Sequence, residues 1–167
     1  GVTVTVNSTI GTADTADFTA ISNGTVTFAA HSTTAQTVNV VINNDALDED
    51  DETFSLALSG LTATGNVTLG VATATGTILD DDPTPTLSVT SPSLDEGNSG
   101  TSVMNFTVSL SAVSGRDVTF MRATADGTAT VADNDYVALS AATLTIPAGQ
   151  LSLGIPVTIN GDTPYEG

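Results

Sequence analysis

The 167-residue chain has no cysteine, no lysine and no tryptophan. Without cysteine no disulfide can staple the fold, and the redox compartment cannot be read from cysteine usage. With a single histidine besides, His31, there is no ligand set for zinc or copper. The basic residues are two, Arg116 and Arg122, against 19 acidic ones, and the formal net charge is −17. A surface of that sign repels nucleic acid and anionic membranes and attracts cations. No apolar run approaches the ~18 residues of a membrane-spanning helix, so direct membrane insertion is not expected. The sequence does not begin with Met and shows no signal peptide, and Gly1 stands directly before "VTVTV". The expectation is a piece of a longer chain.

What the sequence does contain favours β-structure. Hydrophobic residues make up 40% of the chain, enough for a core, whereas aromatics are only 4%. The apolar share comes from Val, Ala, Leu and Ile interleaved with Thr and Ser, which suits half-buried strands better than helices. Alternating apolar and polar runs predict strands over residues 2–6, 24–29, 36–42, 53–58 and 70–79, and then over 86–90, 103–110, 117–122, 142–146 and 151–159. No helix is predicted. Phe18, Phe28, Phe54, Phe106 and Tyr136 are expected in the core.

The pattern repeats. "VTVTVNSTIGTADTADFTAISNGTVTFAA" from Val2 matches "VTFMRATADGTATVADNDYVALSAATLTIPA" from Val118. The GTA tripeptides coincide at Gly11 and Gly127, and Asp17-Phe18 matches Asp135-Tyr136 after a short insertion. "VVINNDALDED" then matches "VTINGDTPYEG", pairing Asp45 with Asp162 and Glu49 with Glu166. The period, about 117 residues, is the size of one β-sandwich domain. The chain thus reads as the later strands of one unit (1–82), a proline-containing linker (83–86), and the earlier strands of the next (87–167). Closure of the two parts on each other within the chain is not expected. Opposite poles of such a sandwich lie roughly 34 Å apart, and residues 80–86 reach at most about 25 Å. Either the native protein is a longer tandem array, or copies complete one another by strand exchange into a fibre.

The carboxylates gather at loops and strand ends: Asp14 and Asp17, the run Asp45–Glu52, and Asp80–Asp82. Loops at one pole of a sandwich can converge, and no basic side chain is evident to offset them. Calcium suits such a set, since it takes about 6–8 oxygen ligands in irregular geometry, whereas magnesium demands an octahedron. The alternative is a merely solvated acidic surface. The spaced EF-hand loop and the glycine-rich nonapeptide repeat are both absent.

"DFTAISNGTVTFAA", "INNDALDEDDETFSLAL" and "ATATGTILDDD", followed by "LSVTSPSLDEGNSG", resemble Calx-β domains, the modules of sodium/calcium exchangers, integrin β4 and long bacterial surface proteins. The resemblance covers nearly the whole chain. It implies an all-β, immunoglobulin-like sandwich in tandem repeats, each partly represented, with calcium at the pole where one domain meets its successor. By position it implies Asp17, Asp45, Glu49, Glu52, Asp80, Asp81 and Asp82 as metal ligands in the first unit, and Glu96, Asp135, Asp162 and Glu166 in the second. Asn44 and Gly161 stand where the family carries further carboxylates. The implied role is a calcium-binding structural and adhesive module of an extracellular or cell-surface protein, with neighbouring repeats or copies, and cell-surface or matrix components, as partners. The alternative is a filament or sheath subunit built by inter-chain strand complementation, with calcium incidental.

An enzyme is not expected. Paired carboxylates can serve a glycosidase, but sugar clefts are lined with aromatics. His31 reads as a surface residue of a turn, and Arg116 and Arg122 as single surface pairs. Asn7, Asn23, Asn66 and Asn105 each begin an N-x-S/T sequon.

Overall fold

The computed structural model describes residues 1–163. The described chain is all β, in two compact units. Glu166, one of the implied ligands, lies outside the described residues.

The first unit comprises Gly1–Ala46 and Asp50–Asp81. Its strands are β1 (Val2–Ile10), β2 (Phe18–Thr19), β3 (Gly24–Phe28), β4 (Val41–Ile42), β5 (Glu52–Ala63) and β6 (Thr73–Ile78). Four of them form an antiparallel sheet in the order β3-β1-β5-β6, and β2 pairs with β4. The alternation of "VTVTV" sets the faces of β1, with Val4 and Val6 buried and the threonines turned the other way. The core of this unit is Ala13, Phe18 and Phe54, with Val40 and Ile78 packed against it. The two phenyl rings stack with centroids 4.6 Å apart. Across the sheet Phe54 pairs with Gly76. A Cβ at Gly76 would lie 2.4 Å from the Phe54 ring, so the ring can lie over the neighbouring strand only because that residue has no side chain.

The second unit comprises Leu47–Glu49 and the chain from Asp82 onward. Its strands are β7 (Leu87–Val89), β8 (Thr101–Leu110), β9 (Val118–Arg122), β10 (Ala142–Ile146) and β11 (Ser152–Asn160). They form a three-stranded sheet, β11-β8-β7, and a two-stranded one, β10-β9. Val108, Leu110 and Ile146 are the buried centre, joined by Val118, Phe120, Leu153 and Ile155 from both sheets. Pro156 is tolerated inside β11 because β11 is an edge strand.

The expected repeat is visible bond by bond. β1 meets β3 through five pairs, Val2↔Phe28 to Val6↔Gly24, and β9 meets β10 through five pairs, Val118↔Ile146 to Arg122↔Ala142. The Ser8 N–H donates to the Ile21 carbonyl at 2.9 Å, and its counterpart Thr124 donates to Leu139 at 3.1 Å. Gly11 donates to Ala13 at 3.2 Å, and Gly127 to Ala129 at 3.1 Å. The Asn43 N–H reaches the Asp17 carbonyl at 2.8 Å, and the Asn160 N–H the Asp135 carbonyl at 2.9 Å.

Two strand expectations change. Of residues 36–42 only Val41 and Ile42 are in a ladder. The matching segment of the second unit is β11, which pairs with β8, and the first unit has no counterpart of β8 among the described residues to receive it. The two-residue strand Phe18–Thr19 was too short for its alternation to register. Of the five aromatics expected in the core, Phe18, Phe54 and Tyr136 are buried, while Phe28 and Phe106 are half-buried. His31 is exposed, with φ 61°, as suits a turn.

Phe54→Ala should destabilise the first unit by about 3 kcal/mol, the low end for a buried phenylalanine. Gly76→Val should destabilise it as well, by displacing the same ring. Urea unfolding followed by NMR should show the resonances of residues 1–46 and 50–81 lost at lower denaturant.

Candidate metal-binding loops

The implied ligands of the first unit lie on loops that organise themselves around carboxylates. The Asp17 Oδ2 accepts the Asp14 N–H at 2.5 Å, and the Asp14 Oδ1 accepts the Ala16 N–H at 2.5 Å. The neighbouring Asn43 side chain donates to the Ala16 carbonyl at 2.8 Å. Asp80, at the exit of β6, donates its N–H to the Asp51 Oδ1 at 3.0 Å. These bonds satisfy exposed backbone donors and hold the loops without any basic residue. Asp17, Asp45, Glu52, Asp80 and Asp81 belong to this unit, whereas Glu49 and Asp82 belong to the second.

The second unit repeats the device. The Asp135 Oδ2 accepts the Thr130 N–H at 2.6 Å, the same bond that Asp17 makes to Asp14. Asp135 is buried, and its other oxygen, Oδ1, has no hydrogen-bond partner among the described residues. The Oδ1 of Asp162 is likewise buried without a partner among the described residues. Asp135 and Glu96 line one cavity of 610 Å³. The Gly161 N–H donates to the Gly100 carbonyl at 2.9 Å, bringing the end of β11 against the Glu96–Gly100 turn. A Cβ at Gly161 would stand 2.7 Å from the Glu96 carbonyl oxygen. The close approach leaves no room for a side chain at this position without a shift of the Glu96–Gly97 backbone. Glu96, Asp135 and Asp162 are thus drawn toward one end of the second unit. Among the described residues no three acidic or histidine side chains are already grouped around a point where a metal ion could sit. Hard oxygen donors with two buried, unpartnered atoms among them are nonetheless the donor set that calcium takes.

Near this end, Asp126 organises the loop after β9. Its Oδ1 accepts the Tyr136 phenol at 2.6 Å and the Val131 N–H at 3.0 Å. The phenol bond holds the Asp126 carboxyl below its ordinary range and pushes the Tyr136 hydroxyl up. Tyr136 thus adds a phenol bond that Phe18, its counterpart, cannot make.

Asp48 is the acid that sequence reasoning passed over, and its ion pair with Arg116 corrects the expectation that the acidic run has no basic partner. Asp48 belongs to the second unit and is buried. Arg116 donates to its Oδ1 at 2.7 Å, and the Thr84 hydroxyl to the same oxygen at 3.1 Å. The Ser114 hydroxyl, itself buried, reaches the Asp48 carbonyl at 3.3 Å and its Oδ2 at 3.4 Å, and the Gly115 N–H adds a bond to the carbonyl. Arg116 is therefore more than a surface pair, because its partner is desolvated. Spacing in the sequence carries no hint of a contact across 68 positions. Arg122, by contrast, is half-buried and donates to the Ser140 carbonyl at 3.0 Å, a backbone partner in place of the expected surface ion pair.

The Arg116 guanidinium holds the Asp48 carboxyl below the usual carboxylate range. A depressed value stabilises the fold above the ordinary carboxylate pKa of about 3.9 and loses that contribution as pH falls through the folded value. Arg116→Ala should therefore lower the urea midpoint of the second unit at pH 7. The gap between wild type and variant should close in strong acid, where Asp48 is protonated in both.

No curated protein sequence matches the chain. Among solved structures, it is similar to CBD12 from CALX1.2, with 22% identity, 98% of this chain and 64% of that one covered, and a TM-score of 0.43. It is also similar to the calcium binding domain CBD12 of CALX1.1, with 22% identity, 93% and 61% covered, and a TM-score of 0.44. The chain thus spans less than two thirds of either. The model of the Calx-beta domain matches twice, at residues 1–82 and 83–167. The chain belongs to the Calx-beta family, with two such domains in tandem.

Proposed function

We propose that the chain is a calcium-binding structural and adhesive module of a large extracellular or cell-surface repeat protein, in which calcium stiffens the joint between successive repeats. The observation that carries this reading is the buried Asp135 oxygen that has no partner among the described residues, on a residue that lines one cavity together with Glu96. A desolvated carboxylate oxygen is costly unless something positive faces it, and this chain has no lysine to offer. Family membership and a net charge of −17 agree with a cation as the missing partner. In the second unit Glu96, Asp135 and Asp162 would hold the ion, with Glu166 following. In the first, Asp17, Asp45, Glu52, Asp80 and Asp81 would do so, with Glu49 and Asp82 close by in sequence. Calcium would supply positive charge to hold the acidic loops in one arrangement. The role is mechanical rather than catalytic, and the partners are adjacent repeats or copies together with cell-surface or matrix components. A module bathed in extracellular calcium needs only a weak site, on the order of 10⁻⁴–10⁻³ M.

Mass action fixes the size of the effect. Calcium at about 100 times its dissociation constant stabilises the folded state by about 2.7 kcal/mol, which moves the melting midpoint of a domain this small by on the order of 10 °C. Calorimetry in calcium and in chelator should show that drop. Asp135→Asn should remove the response of the second unit, and Asp81→Asn with Asp82→Asn should shrink that of the first. Equal midpoints with and without calcium would sink the proposal.

A further inference from the structure

Among the described residues three buried side-chain oxygens have no hydrogen-bond partner: the Oδ1 atoms of Asp135 and Asp162, and the hydroxyl of Ser102. The two carboxylates are already implied ligands, whereas nothing in the sequence points to the serine. Ser102 is also the exception on its strand. Met104, Phe106, Val108 and Leu110 alternate with outward residues along β8 and line the cavity or the core. Ser102 continues that inward alternation, yet it carries a hydroxyl where the pattern calls for an apolar side chain.

The ladder between β8 and β11 brings the three oxygens to one end of the second unit. It runs unbroken from Ser152↔Ser109 to Asn160↔Thr101 and sets Ser102 opposite Ile159. Residues directly opposite each other share a face, so the Ser102 side chain points the way that Ile159 does. Ile159 lines the 610 Å³ cavity together with Glu96 and Asp135. On the far side of β11, Tyr136 bridges Ile159, and the Asn160 N–H reaches the Asp135 carbonyl at 2.9 Å. The Gly161 N–H holds the Glu96–Gly100 turn through the Gly100 carbonyl at 2.9 Å, and Asp162 is the next residue. Ser102, two residues after Gly100, therefore stands where that turn, the end of β11 and the Asp135 loop meet.

We propose that the Ser102 hydroxyl is a further oxygen ligand of the cation site formed by Glu96, Asp135 and Asp162. This rests on the reading of that end as a calcium site. Calcium takes about 6–8 oxygens and accepts neutral ones beside carboxylates. A hydroxyl adds a donor atom without adding to the repulsion among three carboxylates, and Gly161 has no side chain to supply one. Without the ion, the buried hydroxyl lacks a partner and costs stability. With the ion, its lone pair faces the charge. The sign of its effect on stability therefore depends on calcium, whereas a hydroxyl held only by a buried water would stabilise the unit equally with and without it.

Titration of the whole chain with calcium, followed by NMR at the Asp135 and Gly161 amides, measures the site directly. Ser102→Ala should raise the calcium concentration at half-saturation by about tenfold, the loss typical of a side chain that supports a metal site. In chelator the melting midpoint of the second unit should stay at or above the wild-type value. Ser102→Cys separates ligation from packing, because a thiol has the shape of the serine but is a soft donor. That variant should bind calcium as weakly as Ser102→Ala does. It should bind cadmium, a soft ion of calcium's size, about tenfold more tightly than wild type, with thiolate-to-cadmium absorption in the ultraviolet. The chain has no other thiol to confuse the signal. Unchanged calcium affinity in Ser102→Ala, an equal fall of its midpoint with and without calcium, or no gain of cadmium affinity in Ser102→Cys would each overturn the serine's role and leave the calcium site standing. No calcium response at Asp135 in the wild type would instead remove the site itself, and the serine's role with it.

Discussion

The structure is governed by a shortage of positive charge. With 19 acidic residues and two arginines, most carboxylates must find backbone N–H groups, water or a cation. Asp14, Asp17, Asp51 and Asp135 each accept a main-chain N–H, so the loops at the strand ends are folded around their own acids. Arg116 is spent on Asp48, the acid of the Asp45–Glu52 run that is buried. Asp135 and Asp162 each retain an oxygen with no partner among the described residues, and the case for a metal rests on those two atoms.

The same loop occurs twice, built by the same bonds. Asp17 and Asp135 each bind the N–H that opens the loop, and the asparagine at the far strand closes it onto the carbonyl of the same aspartate. The differences between the copies are informative. Phe18 stacks on Phe54 in the first, whereas Tyr136 reaches Asp126 and borders a cavity in the second. Gly161 sits where a side chain would strike the Glu96 carbonyl. One loop design thus serves two different cores.

The strands of β1, β3, β5, β8, β10 and β11 were legible because alternation with period two survives in each, and the repeat was legible because matched tripeptides recur at one spacing. Residues 36–40 show the limit. Their pattern is that of a strand, but a ladder needs a neighbour, and a lone sequence does not say whether one is present. The same limit hid Asp48. Nothing local distinguishes it from the other acids of its run, and its burial depends on Thr84, Ser114 and Arg116 arriving from far along the chain.

The sequence by itself determined the all-β class, the tandem repeat, the aspartates that shape each loop and the character of the ion they would attract. Those properties follow from local alternation, composition and recurrence, which are written in neighbouring residues. The tertiary structure alone decided which acid is desolvated and which carboxylate oxygens lack partners among the described residues. Each of those depends on where distant segments meet in space, and pairing and desolvation exist only once the backbone has brought them together.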